Sequence, residues 1–212
     1  MSVSKNIQKI KKELPIGVEL VAVSKTQSHH KIKEAYDSGH RVFGENKVQE
    51  IIEKYEKLPK DIKWHMVGHL QTNKVKYIAP FIDLIHAVDS EKLLKEIDKR
   101  ALQNNRIIDC LLQIRIATEN TKFGLSTNES NEILLKKDQY KNVNIKGLMG
   151  MASFTNNIDQ IKEEFNFLSS MFSNHCSLNT LSMGMSSDYK IAIDYGSNMI
   201  RVGSTIFGAR NY

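Results

Sequence analysis

Lys25 closes the run Val21-Ala22-Val23-Ser24-Lys25-Thr26, in which a short apolar, β-branched segment ends on an amine. Such a segment reads as a buried strand, and period-two alternation sets Val21, Val23 and Lys25 on one face. A lysine at the carboxyl end of a first strand stands where α/β proteins place chemistry. Desolvation eases loss of its proton, and a neutral amine can attack an aldehyde to form a Schiff base. The plain alternative is a lysine that snorkels to solvent. A second group of chemical residues lies near the other end. Met183-Gly184-Met185-Ser186-Ser187-Asp188 and Arg201-Val202-Gly203-Ser204-Thr205 each follow a strand-like run and open a helix. Glycines let backbone approach an anion, and the hydroxyls of Ser186, Ser187 and Ser204 add donors beside free helix N–H groups. As single features these serines would be ordinary helix caps. Alternation separates Ile200 and Val202 from Arg201 and Gly203, so Arg201 is expected to face the mouth, where a guanidinium can only donate. A surface ion pair is its plain alternative.

These residues need a scaffold that brings strand ends together. After a short amphipathic helix within 1–15, with Ile7, Ile10 and Leu14 on one face, strand-like runs recur at 18–24, 41–44, 64–68, 84–88, 108–116, 145–149, 180–183 and 199–203. Helix-like segments lie between them at 30–38, 48–57, 73–78, 91–104, 126–136, 158–173 and 187–195. Ser90-Glu91 and Ser126 with Glu129 look like helix starts, and Gly39 like a stop. Eight strand–helix units predict an α/β fold, a (β/α)8 TIM barrel forming a single domain over 1–212. A doubly wound dinucleotide fold would want glycines after the first strand, where this chain has Lys25-Thr26-Gln27-Ser28.

With 212 residues, 41% hydrophobic and 25% charged, the chain suits one sizeable core. No apolar stretch approaches a membrane span, and the lysine-rich start lacks an apolar segment behind it, so neither a membrane nor a secretory role is expected. Two cysteines, Cys110 in an apolar run and Cys176 in a polar one, fit a reducing cytoplasm without a disulfide framework. The net charge of +6 is spread as lysines mixed with glutamates, as in Glu53-Lys54-Tyr55-Glu56-Lys57. That is the pattern of solvated helix faces, so nucleic acid is not an expected partner, and the basicity favours an anionic ligand.

An amine, a phosphate cradle and a donor between them together fit pyridoxal phosphate: Lys25 at its aldehyde, the two loops at its phosphate, Arg201 at its ring nitrogen. The blocks that carry these residues also resemble the pyridoxal-phosphate homeostasis protein family, a relative of the barrel half of alanine racemase. The resemblance runs from about 18 to 212. It rests on Ala22-Val23-Ser24-Lys25-Thr26, on Phe43-Gly44-Glu45-Asn46 with Val48-Gln49-Glu50, and on Trp64-His65-Met66-Val67-Gly68-His69-Leu70-Gln71-Thr72-Asn73-Lys74. It continues through Gly147-Leu148-Met149, Leu181-Ser182-Met183-Gly184-Met185-Ser186 and the block from Arg201 to Arg210. It implies Lys25 as the Schiff-base lysine, Arg201 at the pyridine nitrogen, Ser186, Gly203 and Ser204 around the phosphate, and Asn46 and Met149 lining the cofactor. Three departures stand out: an amino-terminal helix shorter than usual, Arg115 where relatives often carry asparagine late in the fifth strand, and the glycine of Met149-Gly150-Met151-Ala152.

Other features carry less. His65 and His69 stand four apart on a strand-like run without a metal-type motif. His86 reads as a hydrogen-bonded structural histidine or a pocket residue, Met149, Met151, Met183 and Met185 as adaptable packing, and Cys110 as core. The expectation is thus a cytoplasmic, non-catalytic pyridoxal phosphate carrier, a monomer or weak dimer in transient contact with apo-enzymes that need the cofactor. The rival reading is an amino-acid racemase using the same cofactor; a weaker one is a phosphate-binding barrel enzyme without it. A racemase needs a second acid/base group opposite Lys25. Tyr189, Tyr195 and Tyr212 are not evidently placed for that, and a second domain after the eighth strand is not expected.

Overall fold

The computed structural model describes residues 2–117 and 123–208. Eight strands close into a parallel barrel in sequence order: β1 (Glu19–Val23), β2 (Val42–Glu45), β3 (Lys63–Met66), β4 (Leu84–Val88), β5 (Ile108–Gln113), β6 (Val143–Met149), β7 (Thr180–Ser182) and β8 (Met199–Val202). Closure comes from β1 against β8, with Val21 opposite Arg201. Helix α1 (Val3–Glu13) precedes β1. Each strand is then followed by a helix: α2 (His29–Asp37), α3 (Val48–Lys57), α4 (Val75–Ile78), α5 (Glu91–Gln103), α6 (Thr127–Leu135), α7 (Ile158–Ser173), α8 (Tyr189–Asp194) and α9 (Ser204–Phe207). This is the expected (β/α)8 barrel. No helix among the described residues is long and apolar enough to cross a membrane.

Alternation along the strands sorts the apolar residues into two shells. Phe43, Trp64, Ile85, Leu148, Ile200 and Val202 point outward and join the inner faces of the helices. Val21, Val42, Val67, Leu84, Leu111, Met149 and Met199 fill the barrel itself. Each large side chain so buried contributes about 1.5–3 kcal/mol against the chain entropy lost on folding. Gly44 faces inward, where a Cβ would stand 3.0 Å from Val21 and 3.2 Å from Val67, so the interior is close-packed there.

Local signals set most helix starts. The Ser28 and Ser90 side chains accept from the N–H groups of Lys31 and Leu93, and Ser126 with Glu129 forms a full capping box. Gly39, at φ 88°, lets the chain leave α2 in the left-handed region. Ile7 and Ile10 bury one face of α1 as expected, while Leu14 caps its end and is half-buried. The Asn6 amide also donates to the Ile206 carbonyl at 2.8 Å, tying α1 to α9. β5 is shorter than its apolar run: Leu125 N–H takes the Gln113 carbonyl (2.8 Å) and Arg115 N–H the Leu125 carbonyl (3.0 Å), so a returning segment pairs with residues that would have extended the strand.

Candidate functional site

A cavity of about 510 Å³ opens at the carboxyl ends of the strands, and apart from Val23 and Arg201 its walls come from residues that follow them. Lys25 comes from the turn after β1, Asn46 from β2, Val67 from β3, Met151 and Phe154 from β6, Met185, Ser186 and Ser187 from β7, and Gly203, Ser204 and Thr205 from β8. A groove of about 580 Å³ between α6 and α7 is larger, but it lies on the outer surface and carries no comparable set of converging groups.

The turn bearing Lys25 is clamped on both sides by α3 and β2. Lys54 donates to the Ser24 carbonyl (2.9 Å), to Glu45 Oε1 (2.7 Å) and to Glu50 Oε2 (3.1 Å). Ser24 Oγ donates to Glu45 Oε1 at 2.5 Å, and Thr26 N–H to Glu50 Oε2 at 2.8 Å. The last bond holds Thr26 at φ 63°, a conformation that costs a non-glycine residue about 1–3 kcal/mol. Burial raises the Glu45 pKa, with Lys54 and Ser24 opposing it. At Glu50 burial pushes the same way, but the Thr26 N–H and Lys54 outweigh it and the pKa falls. Between these anchors Lys25 is half-buried on the cavity wall.

Opposite stands Arg201, 4% exposed, on the inward face of β8 as alternation required. Its Nη1 donates to Ser182 Oγ (2.6 Å) and its Nη2 to the Gly150 carbonyl (2.9 Å), so three of its five N–H donors remain for the cavity it lines. Burial lowers its pKa to about 10, opposed by Asp188, and it is charged at neutral pH. The two serine-rich loops are cross-braced. Gly203 N–H donates to Ser186 Oγ at 3.2 Å, and Arg201 N–H to the Gly184 carbonyl at 3.0 Å. Gly184 sits at φ 90° with a would-be Cβ 2.7 Å from Tyr189 and Ala192, so the first loop is open only to glycine. The N–H groups of Ser204 and Thr205, in the first turn of α9, have no intrahelical partner.

Lys25, Asn46, Ser186, Ser187, Arg201, Gly203 and Ser204 are thus brought to one wall system. Met149 is not on it: it is fully buried inside the barrel, and Met151, two residues on, lines the cavity instead. Arg115 is exposed and outside the cavity, so it adds no charge there. A Cβ at Gly150 would press on the side-chain ends of Leu168 and Ile116, 2.6 and 2.8 Å away, which would have to shift. His65 and His69 diverge, His65 to His86 and His69 to Asp89. Sequence reasoning did not single out the Lys54 clamp, Phe154 or Thr205. Glu50 and Lys54 stand four apart on one helix, the one signal of the clamp, but that spacing is common on solvated faces.

Among the described residues the cavity wall holds no carboxylate, two cations, a set of N–H and hydroxyl donors, and an apolar band from Val23, Val67, Met151 and Phe154. Asn46 adds a buried Oδ1 with no hydrogen-bond partner among them, held close by Gly68, where a Cβ would meet Asn46 backbone at 2.6 Å. Such a cavity suits a flat, anionic ligand with an electrophilic carbon near Lys25 and a polar edge near Arg201.

Known proteins resemble this chain over nearly its whole length. The family model for the alanine racemase N-terminal domain matches residues 2–211. Pyridoxal phosphate homeostasis proteins from Aquifex aeolicus and Escherichia coli are 38% and 32% identical over 200 and 206 residues, covering 92% and 93% of this chain and 88% of each relative. PipY of Synechococcus elongatus, solved with PLP bound, superposes with a TM-score of 0.90 at 33% identity, over 98% of this chain and all of its own. Alanine racemase from Enterococcus faecalis shares the fold, at a TM-score of 0.78 and 18% identity over 98% of this chain and 58% of its own.

Proposed function

Because the chain belongs to the alanine racemase N-terminal domain family, we propose that it holds pyridoxal phosphate reversibly through Lys25 and serves in cellular homeostasis and delivery of that cofactor. The observation that carries this is the convergence of Lys25, Arg201 and the Ser186 and Ser204 loops on one cavity without a carboxylate among its described residues. The residues fit the group. Ser186, Ser187, Ser204 and Thr205 offer donors for a phosphate beside Gly203, and Arg201 offers N–H groups to a ring nitrogen. The unpartnered Asn46 Oδ1 would accept from a polar ring substituent. When bound, pyridoxal phosphate supplies an aldehyde carbon that condenses with an amine and releases water. The protein's part is to hold that amine in place: the Lys54 clamp fixes the turn, and the half-buried setting of Lys25 limits its hydration.

A carrier role is favoured over racemisation by what faces Lys25. Racemisation needs a second acid/base group within hydrogen-bond reach on the other side of the reacting carbon. Among the described residues, none of the remaining wall side chains titrates near neutrality. Tyr189 and Tyr195 belong to the α8 region outside the cavity, and Tyr212 lies beyond the described residues. Cys110 and Cys176 are unpaired thiols, in keeping with action in the reducing cytoplasm, as a monomer or weak dimer that meets apo-enzymes transiently. The test is borohydride reduction of the loaded protein followed by peptide mapping. The pyridoxyl group is expected on Lys25 and absent from Lys25→Ala; a main adduct on another lysine, such as Lys74, overturns the assignment.

A further inference from the structure

A file of polar side chains crosses the otherwise apolar barrel interior. It starts at Arg201 in the cavity wall, whose Nη1 stands 2.6 Å from Ser182 Oγ. Ser182 Oγ is 3.2 Å from His86 Nδ1, His86 Nε2 is 3.0 Å from His65 Nδ1, and His65 Nε2 is 3.4 Å from Asp83 Oδ2. Ser182, His86 and His65 are at most 2% exposed. Asp83 precedes β4, at the amino-terminal end of the strands away from the cavity, and its side chain is 48% exposed.

The two ends of this file give it a direction. Arg201 can only donate, so Ser182 Oγ accepts from it and is left with its own hydrogen to give. Asp83 can only accept: the His65 hydrogen bond outweighs burial and keeps it ionised. His65 then turns an Nε2–H to Asp83, 3.4 Å away, which leaves its Nδ1 as the acceptor facing His86. His86 therefore donates from Nε2 and accepts from Ser182 at Nδ1. Burial first, then His65 and Arg201, hold the His86 pKa well below its ordinary value, so that ring stays neutral. All the links run in one direction, from guanidinium to carboxylate. Had the order been reversed at His86, its Nδ1–H would face an oxygen already holding the Arg201 hydrogen, and the Ser182 hydrogen would lose the acceptor it now has.

Resting on the reading that Arg201 meets the cofactor's ring nitrogen, we infer that Ser182, His86, His65 and Asp83 are positioning residues that lock Arg201 as a fixed donor through a one-way hydrogen-bond chain anchored at the far end of the barrel. The chain keeps the Ser182 oxygen turned to Arg201 as an acceptor and holds the guanidinium plane, so that its remaining N–H groups meet the cavity in one orientation. Asp83 then matters to a ligand it does not touch.

The test begins with ring-nitrogen NMR of the unliganded protein carrying ¹⁵N-labelled histidine. His65 and His86 are both expected as neutral Nε2–H tautomers at neutral pH; an Nδ1–H tautomer at His86, or a charged His65, overturns the chain. Asp83→Ala, which removes a half-exposed anchor, is expected to mix the His65 and His86 tautomers, whereas Asp83→Asn keeps an acceptor oxygen and preserves them. In the loaded protein, Asp83→Ala and Ser182→Ala should release pyridoxal phosphate about tenfold faster, the scale of one hydrogen bond to a charged group. Asp83→Asn should stay near the unmodified rate. Unchanged release from both alanine variants, with reduction still mapping to Lys25, refutes the positioning role alone. Failure of the unmodified protein to take up the cofactor refutes the reading on which it rests. Should Ser182→Ala not fold, the tautomer measurement and the two Asp83 variants decide.

Discussion

At the scale of single residues, the cavity divides its work between an amine that can bond covalently and groups that can only donate hydrogen bonds. Ser204 and its neighbours in the first turn of α9 offer hydrogens to an anion, and charge-assisted bonds are worth about 1.5–3 kcal/mol each. Ser204→Ala should therefore weaken pyridoxal phosphate by roughly tenfold. Pyridoxal, which lacks the phosphate, should bind far more weakly still, and equal affinities in equilibrium dialysis would remove the anion site. Arg201 bears on the ring rather than the phosphate. Its guanidinium has no acceptor, so a ring nitrogen against it must be the acceptor and stay unprotonated. Such a ring is a poor electron sink, which suits holding the cofactor better than carbanion chemistry. Nitrogen-15 NMR of labelled cofactor should show an unprotonated pyridine, and a pyridinium shift would contradict it.

At the scale of elements, the turn after β1 is held by α3 and β2 rather than by its own sequence. Lys54 and Glu45 are 6% and 0% exposed, and a buried ion pair adds little net stability because both charges lose water. Removing one partner alone is different. Lys54→Met should cost about 3–5 kcal/mol by leaving Glu45 uncompensated, and most of that should return when Glu45→Leu is added. Urea titrations of the single and double variants check this. If the double variant is as unstable as Lys54→Met, the pair contributes more than mutual neutralisation. The double variant should still bind cofactor poorly, since Ser24, next to Lys25, would have lost both of these holds.

At the scale of the whole molecule, the buried histidines set the response to acid. His40 is 3% exposed, and its Nε2 lies 2.7 Å from the Val42 carbonyl; burial, then Lys11, lowers its pKa to about 4. His86 is shifted in the same direction. Both are neutral in the folded barrel, while the unfolded chain binds protons below about pH 6.5. Stability is therefore fully present above that pH and declines as pH falls toward 4. For His40 the loss is on the order of 2 kcal/mol by pH 5. Denaturant midpoints should fall between pH 7.5 and 5, and His40→Gln should flatten part of that decline. A midpoint independent of pH over this range would mean that neither histidine is held neutral. The same barrel, with no second acid/base group among the described wall residues, should show negligible amino-acid racemisation. Turnover at ordinary enzymatic rates that Lys25→Ala abolishes would favour the rival reading.

Order and spacing along the chain determined the eight strand–helix units, the strand-end position of Lys25 and the two serine-rich loops, because hydrophobic period and helix caps are local properties. The inward face of Arg201 was legible for the same reason. Other features were decided only when the barrel closed. Pairing β1 with β8 set Lys25 and Arg201, from opposite ends of the chain, on one cavity. Lys54, which sits in a charge run typical of a solvated face, instead found Glu45 beneath it and became buried. Met149 and Met151 share one alternation face, and depth in the barrel, which no period encodes, put the first in the core and the second on the wall. His65, His86, Ser182 and Arg201 each lie on a different strand, so their chain exists only where four strands turn those side chains toward one axis.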